Sequence, residues 1–304
     1  MKLEKTDIIK NPLKILYKKE VLSALKKHWI NNHENLIDPE KFVEEFFAYL
    51  LKAGKHENAD RAEVRKSYNA KLKSYWKGGG DSIKPKDMFL EMMEKELDRV
   101  KIALDFGCGK LAFLKELAEN NKKIKKMIGI DPISQPVLGD LDARIDFQRS
   151  LVAIKKESVD LAIIKLVLHH LRRSEEVREI LQKIGSVLRP KGRLVIFEES
   201  FPEHDYKSNE TIDYLEKIGL KPSEATEEFM SLVKEDKVKF LFLNDWIMNV
   251  QNNYMPWTGL YKSMEQWREL AESVGFKEKE SHFVGAIKHR KRKQGMTVYM
   301  VFEK

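Results

Sequence analysis

The chain has little cysteine and no long apolar run. Cys108 is its single cysteine among 304 residues, which excludes an internal disulfide and a zinc site built from several cysteines. No apolar stretch approaches the ~18–20 residues that a membrane-spanning helix needs. The opening Met-Lys-Leu-Glu-Lys also lacks the features of a signal peptide. These absences predict a cytoplasmic protein without a membrane anchor, and no metal-binding pattern is visible.

Positive charge is in excess and is unevenly distributed. The formal net charge is +8, and residues 1–80 carry 17 Lys and Arg against 11 Asp and Glu. A second basic cluster lies near the C-terminus and contains Lys288, Arg290, Lys291, Arg292 and Lys293. Such clusters attract polyanions, although lysine-rich surfaces also serve simply to keep a protein soluble.

The first 80 residues have apolar residues at helical spacing and predict an N-terminal helical region. Its third helix, about 59–76, interleaves the basic residues Arg61, Arg65 and Lys66 with aromatic ones. Basic and aromatic residues together can bind nucleic acid, because rings stack on bases while cations contact phosphates. The alternative is that the rings pack on neighbouring helices and the cations are solvated. Three glycines at 78–80 mark the predicted boundary of this region.

Residues 101–114 read as a buried strand, a glycine loop and the start of a helix. Ile102 to Leu104 form the strand, Asp105 ends it, and Gly107 and Gly109 follow. Glycines allow close approach of a ligand, and free amides at a helix start face an anionic group. Gly107, Gly109 and Ala112 also fit the dinucleotide fingerprint, which keeps a nicotinamide cofactor open as an alternative. Asp105 favours instead a ligand that is positively charged beside the loop.

At this point the sequence resembles the class I (Rossmann-like) S-adenosylmethionine-dependent methyltransferases. Their first motif is D/E-x-G-x-G-x-G, and this chain departs from it at the last glycine, where Leu111 stands. The stretch Leu168-His169-His170-Leu171 is also similar to one found in many small methyltransferases.

The resemblance implies an α/β fold with a Rossmann-like, mostly parallel seven-stranded sheet whose last strand is antiparallel. The alternation of strand and helix patterns after residue 100 agrees with a parallel sheet. We expect the methyltransferase domain to span 81–304, with a helical insertion at 201–260, and the helical region 1–80 to act as a lid or in substrate binding. The insertion contains a cluster of mostly aromatic residues: Phe240, Phe242, Trp246, Tyr254, Met255 and Trp257.

The resemblance also implies the cofactor, S-adenosyl-L-methionine, and its contacts. Asp105 and the glycine loop would hold the methionine part, and Asp131 at the end of the second strand would hold the ribose hydroxyls. A turn starting at Asp131 is the alternative for that residue. The predicted cofactor-binding residues are Asp105, Phe106, Gly107, Gly109, Asp131, Pro132, Ser150, Leu151 and Lys165.

Candidates for acceptor binding or proton removal follow the fourth and fifth predicted strands, since ligands bind beyond the carboxyl ends of parallel strands. They are Lys165, His169, Glu198 and Glu199. A histidine there can serve as a general base, or it can cap and pack the following helix. The glutamates can bind an acceptor or pair with a nearby lysine.

The sequence therefore predicts a methyltransferase whose acceptor is RNA or another polyanion, bound by the basic cluster 288–293 and the basic helix. One alternative is a small-molecule acceptor enclosed by the aromatic insertion. A second is a non-catalytic scaffold with the same fold, for which the missing third glycine is the sequence cue.

Overall fold

The computed structural model describes residues 10–76, 88–134, 136, 139, 141–204, 206–249, 259–286 and 295–304. Contacts divide the chain into two compact units. The helical unit comprises Met1–Ile83, Leu220–Trp257 and Val284–Met296, and the sheet unit comprises Lys84–Gly219, Thr258–Phe283 and Thr297–Lys304. Gly78 to Gly80 and the basic cluster 288–293 lie outside the described residues.

Strands and helices alternate from Ile102 to Glu199, and successive helices precede and follow that part of the chain. The α-helices of the described residues are α1 (Lys19–Asn32), α2 (Pro39–Ala53), α3 (Arg61–Tyr75), α4 (Met88–Met92), α5 (Ala112–Asn120), α6 (Ser174–Val187), α7 (Asn209–Lys217), α8 (Glu224–Met230), α9 (Lys234–Met248) and α10 (Met264–Glu272). Short 3-10 helices span Pro12–Tyr17, Glu94–Leu97, Leu151–Ala153 and Leu168–His170. None of these helices is long and apolar enough to cross a membrane.

The sheet has seven strands in the order β3-β2-β1-β4-β5-β7-β6. They are β1 (Ile102–Phe106), β2 (Lys126–Ile130), β3 (Ile145–Gln148), β4 (Val159–Lys165), β5 (Leu188–Glu199), β6 (Lys277–Gly285) and β7 (Thr297–Glu303). Six strands are parallel and β7 is antiparallel. The predicted Rossmann-like fold, with an antiparallel last strand, is confirmed.

An α-helix connects β1 to β2 and another connects β4 to β5, as is usual for crossovers between parallel strands. The central strands are correspondingly apolar: in β4, every residue from Val159 to Ile164 is buried. β1 lies between β2 and β4, so their carboxyl ends share one edge. This edge carries Asp105, Asp131 and Lys165.

The helical unit has an aromatic core, and its helix α2 begins at the residues that the sequence predicts. Asp38 caps α2 by accepting the amide of Lys41, with Pro39 at the first helical position. Trp29 of α1 packs on Phe46 and Phe47 of α2, with ring centroids 5.4 and 5.7 Å away. Burial of these rings supplies most of the stability that short helices lack on their own.

The predicted insertion at 201–260 is divided between the two compact units. Within 201–260, Leu220–Trp257 groups with the N-terminal helices, whereas α7 belongs to the sheet unit. In the helical unit, Asn244 of α9 accepts the indole N–H of Trp29 at 3.1 Å. Phe240 packs on His28 with centroids 5.5 Å apart. The predicted domain boundaries remain a prediction.

Candidate functional site

The loop after β1 needs its first glycine for two reasons. Gly107 has a φ of +79°, and a Cβ there would lie 2.3 Å from Cγ2 of Val167. Its amide donates to the carbonyl of Ile130 at 2.7 Å, which ties the loop to the end of β2. Gly109 also has a positive φ, +53°, but a Cβ there would meet nothing within 4 Å. There is therefore no room for a side chain at Gly107, whereas the space beside Gly109 is open.

These two glycines give a matched pair of variants. Gly107→Ala should lower the free energy of unfolding by about 2–4 kcal/mol, because it adds left-handed strain and a clash with Val167. Gly109→Ala should cost only about 1 kcal/mol, because it adds the strain alone. Urea unfolding measures both, and equal losses would contradict the difference in space around the two residues.

Leu111, at the third glycine of the motif, keeps the backbone conformation that glycine favours. It has a φ of +65° immediately before α5, and its side chain is buried against Gly129, where an added Cβ would lie 2.7 Å from Cδ2 of Leu111. The left-handed conformation costs a non-glycine residue about 1–2 kcal/mol. Burial of the leucine side chain offsets this cost, so the loop retains its shape without the third glycine.

Asp105 is a buried carboxyl at the end of β1, with 2% of its surface exposed. Burial raises its pKa from the ordinary 3.8 to about 7; Lys165 acts in the opposite direction and Asp131 adds to the rise. A carboxyl that is costly to ionise in the ligand-free protein is suited to a cationic ligand, because a positive charge would offset the lost hydration.

Asp131 has a carboxylate that organises two turns. Its Oδ2 accepts the amide of Gly109 at 3.0 Å, and its Oδ1 accepts the amides of Ile133 and Ser134 at 2.8 and 2.7 Å. The turn-forming role that sequence left open is thus present. The bond to Gly109 also joins the end of β2 to the glycine loop. A carboxylate has about four acceptor positions, so these three bonds leave capacity for another donor.

The other predicted cofactor contacts lie at the same edge of the sheet, where β1 to β4 have their carboxyl ends. Phe106 and Gly107 are half-buried, Pro132 and Ser150 are exposed, and Leu151 is buried at the start of the 3-10 helix after β3. Lys165 ends β4, and its Nζ lies 5.1 Å from the ring centre of Phe113 and 5.5 Å from that of Phe89. No local pattern indicated that these rings would contact a lysine.

Glu198 lies fully buried at the end of β5 and accepts four hydrogen bonds. Its Oε2 accepts the amides of Val167 and Leu168 at 3.0 and 2.7 Å. Its Oε1 accepts the amide of Glu199 at 2.8 Å and also bonds to Nδ1 of His169. Burial alone would raise its pKa, but the attraction and hydrogen bond of His169 and the backbone amides lower it. Glu198 thus fixes the segment that carries His169.

His169 is oriented by that carboxylate and by an aromatic ring. A carboxylate has no proton to donate, so Nδ1 of His169 carries the hydrogen of their bond. The imidazole stacks on Tyr261, with centroids 5.0 Å apart and planes 18° apart, and the ring of His170 lies 3.9 Å away. His169 and Tyr261 are both buried, with 2% and 7% exposed. Sequence did not point to Tyr261, since no local pattern links it to residue 169.

Glu199 is also buried at the end of β5, with 8% exposed. Its neighbour Ser200 donates its hydroxyl to the carbonyl of Lys262 at 2.8 Å, which holds the segment before α10 near the end of β5. The structure thus brings Glu198, Glu199 and His169 together at the carboxyl ends of β4 and β5. Their predicted roles in acceptor chemistry remain predictions.

Residues 104–194 match the family model that is described as a methyltransferase domain. The match begins in β1 and ends in β5, so it contains the glycine loop, Asp131 and His169. Residues 104–194 therefore form a methyltransferase domain. The chain is a methyltransferase, and S-adenosylmethionine is its cofactor.

Solved structures resemble the methyltransferase in fold. One is an S-adenosylmethionine-dependent methyltransferase from Mesorhizobium loti, with 15% identity over 67% of this chain and 91% of that chain, at a TM-score of 0.41. Another is the 1,6-didemethyltoxoflavin-N1-methyltransferase of Burkholderia thailandensis, with 16% identity over 80% and 86% of the chains, at a TM-score of 0.44. No curated protein matches the sequence.

The donor set at the carboxyl ends of β1 and β2 fits this cofactor. Asp105 supplies a buried carboxyl suited to a cation, the loop is open at Gly109, and Asp131 retains acceptor capacity beside it. A sulfonium nucleoside with an amino-acid end and a ribose has matching groups, namely an ammonium for Asp105 and a ribose hydroxyl for the remaining acceptor position of Asp131.

Proposed function

We propose that the methyltransferase transfers the methyl group of S-adenosylmethionine to a small organic acceptor. The observation that carries the proposal is the burial of the side chains at the ends of β4 and β5. His169, Glu199 and Tyr261 each expose less than a tenth of their surface. Buried polar groups favour an acceptor that can be enclosed, whereas a polymer needs an accessible surface.

In this proposal Asp105 binds the amino group of the cofactor, and Asp131 accepts a ribose hydroxyl. Gly107 and Gly109 let the backbone approach, while Phe106, Pro132, Ser150 and Leu151 flank the nucleoside. The cofactor supplies a methyl group already activated by the sulfonium. What the protein adds is chiefly orientation, which can contribute about 7–11 kcal/mol to lowering a barrier.

His169 is the general base of the proposed reaction, and Glu198 is its positioning residue. Because Nδ1–H is bound to Glu198, Nε2 is the ring nitrogen that can take a proton from the acceptor. The ionised carboxylate also stabilises the imidazolium that forms, as in other acid–histidine pairs. Glu199 is the proposed polar contact of the acceptor.

The packing of α3 weakens the case for a polyanionic acceptor. Tyr68 packs on Trp29, with ring centroids 5.9 Å apart, and Tyr75 donates its hydroxyl to Glu45 at 2.8 Å. Arg61 donates to the carbonyl of Asn249 at 3.0 Å and lies 6.0 Å from the ring of Trp246. Lys66 pairs with Glu63 on the same helix at 3.7 Å. These aromatic rings are therefore used within the helical unit instead of being presented to bases.

The same packing concerns the aromatic insertion, whose role in the small-molecule alternative is to enclose the acceptor. Phe240, Phe242 and Trp246 are buried, and Phe240 contacts Phe229 of α8 with centroids 4.8 Å apart. Tyr254, Met255 and Trp257 lie outside the described residues. The proposal therefore relies on the residues at the ends of β4 and β5 and leaves the insertion aside.

Transfer of labelled methyl groups to a cell extract, separated into metabolite, RNA and protein fractions, tests the acceptor class. We expect label in the metabolite fraction with the wild type and none with Asp105→Asn. We also expect KM for the acceptor to change less than about twofold between 50 and 200 mM salt, whereas a polyanion would lose orders of magnitude in affinity. Label in RNA would overturn the proposal, and a lack of cofactor binding would favour the scaffold alternative.

A further inference from the structure

Lys165 and Asp105 lie on the same face of the sheet, at the ends of adjacent strands. Asp105 of β1 pairs with Ile163 of β4. Side chains alternate along a strand, so Lys165, two residues beyond Ile163, projects to the same side as Asp105. Such diagonal neighbours are about 7–8 Å apart at their Cα atoms, which is within reach of a lysine side chain.

Two buried aromatic rings hold the lysine ammonium on that side. Its Nζ lies 5.1 Å from the ring centre of Phe113 and 5.5 Å from that of Phe89. The two rings contact each other with centroids 5.3 Å apart, and Phe89 packs on Phe197 of β5 at 5.0 Å. Aromatic faces attract a cation, so this packing fixes the ammonium in a defined place beside the strand ends.

The charged groups around Asp105 come from three elements. Asp131 follows β2 and raises the pKa of Asp105, Lys165 ends β4 and lowers it, and burial is the largest contribution and raises it to about 7. Cys108 of the glycine loop stays neutral, because burial raises the pKa of its thiol. Lys165 is the cation that acts on Asp105, and it lowers the pKa that burial and Asp131 raise.

We propose that Lys165 is a positioning residue that favours the ionised form of Asp105 in the ligand-free methyltransferase, so that a larger share of the protein carries a carboxylate ready to bind the ammonium of the cofactor. The inference rests on the proposed role of Asp105. It gives Lys165 a function that acts through Asp105, which differs from the direct contact with cofactor or acceptor that the sequence suggested.

Calorimetric titration with S-adenosylhomocysteine between pH 5.5 and 8.5 tests this inference, because that molecule retains the amino group. We expect wild-type affinity to rise with a midpoint near pH 7, the value to which the pKa of Asp105 is raised. In Lys165→Met the midpoint should move up by about one unit, which weakens binding roughly fivefold at pH 7 and approaches tenfold at pH 5.5. The deficit should shrink towards pH 8.5.

Lys165→Arg keeps the charge and should retain the wild-type midpoint, and Lys115→Met, at an exposed position of α5, controls for general loss of charge. A pH-independent deficit in Lys165→Met would show a merely structural role and overturn the inference, while the proposed function would stand.

A readout without cofactor separates failure of the inference from failure of the proposed function. If the wild type binds no S-adenosylhomocysteine at any pH, the proposed role of Asp105 is wrong. Urea unfolding of Lys165→Met then tests whether Lys165 favours the ionisation of Asp105. The variant should lose more stability than the wild type between pH 5 and 9, because ionising Asp105 costs more without Lys165. Parallel pH profiles would refute the inference.

Discussion

Replacing Asp105 with Asn should abolish cofactor binding and at the same time stabilise the ligand-free methyltransferase above neutral pH. The folded-state pKa is raised from 3.8 to about 7, so folding takes up a proton between these values and stability falls as pH rises through that window. Asn removes the ionisation. We expect a gain of about 1–4 kcal/mol at pH 8, which shrinks towards zero near pH 4.

Urea unfolding at several pH values measures the gain, and calorimetry with S-adenosylhomocysteine measures the loss, which we expect to exceed about 100-fold. Asp146→Asn is the matched control, because that residue lies on β3 with its side chain 41% exposed, and neither quantity should change much. A variant that binds the cofactor normally would contradict the role of Asp105. Opposite effects on binding and stability are common where a site holds a group that the fold alone would not favour.

Replacing Glu198 should be the most destabilising carboxyl substitution in the sheet unit. Glu198→Ala removes the acceptor of three backbone amides and of His169, all at a buried position. Removing one partner of a buried charged pair costs about 3–5 kcal/mol, because the remaining donors lose their acceptor without regaining water. We expect a loss of this size at pH 7, measured by urea unfolding with circular dichroism.

The pH dependence identifies the carboxylate as the cause. The folded-state pKa of Glu198 is lowered, so the stability it contributes is present above the usual glutamate range and is lost as pH falls through the folded-state value. Glu198→Gln keeps the shape but not the charge, and its deficit should therefore shrink at acidic pH. Glu179→Gln on the exposed side of α6 should be nearly neutral. A loss below about 1 kcal/mol for Glu198→Ala would contradict the proposed fixing of the 167–169 segment.

The Glu198–His169 pair also changes how mutant kinetics should be interpreted. Because Glu198 acts through His169 and through the backbone of its segment, its loss should lower activity even if it never touches the acceptor. His169→Asn, by contrast, should lower kcat while leaving cofactor affinity near that of the wild type. This split between binding and turnover distinguishes a general base from a residue that shapes the cofactor site.

What the sequence determined by itself is the part of the molecule that local patterns encode. Alternating strand and helix periods determine a parallel sheet, and the glycines after Leu104 mark the loop where β1 meets α5. The acids that close β1 and β2 are adjacent in space because parallel strands place their carboxyl ends at one edge. The resemblance to methyltransferases followed from these same residues, since the motif that carries it is continuous in the chain.

Tertiary structure alone decided what those residues contact. The raised pKa of Asp105 depends on desolvation by neighbouring elements, and no spacing in the sequence measures burial. Glu198 meets His169, and Tyr261 stacks on it, across about 30 and 90 residues of chain. Arg61 was a candidate for binding a polyanion, yet it contacts Asn249 and Trp246. Each of these outcomes depends on packing between segments distant in the chain, which composition and periodicity do not specify.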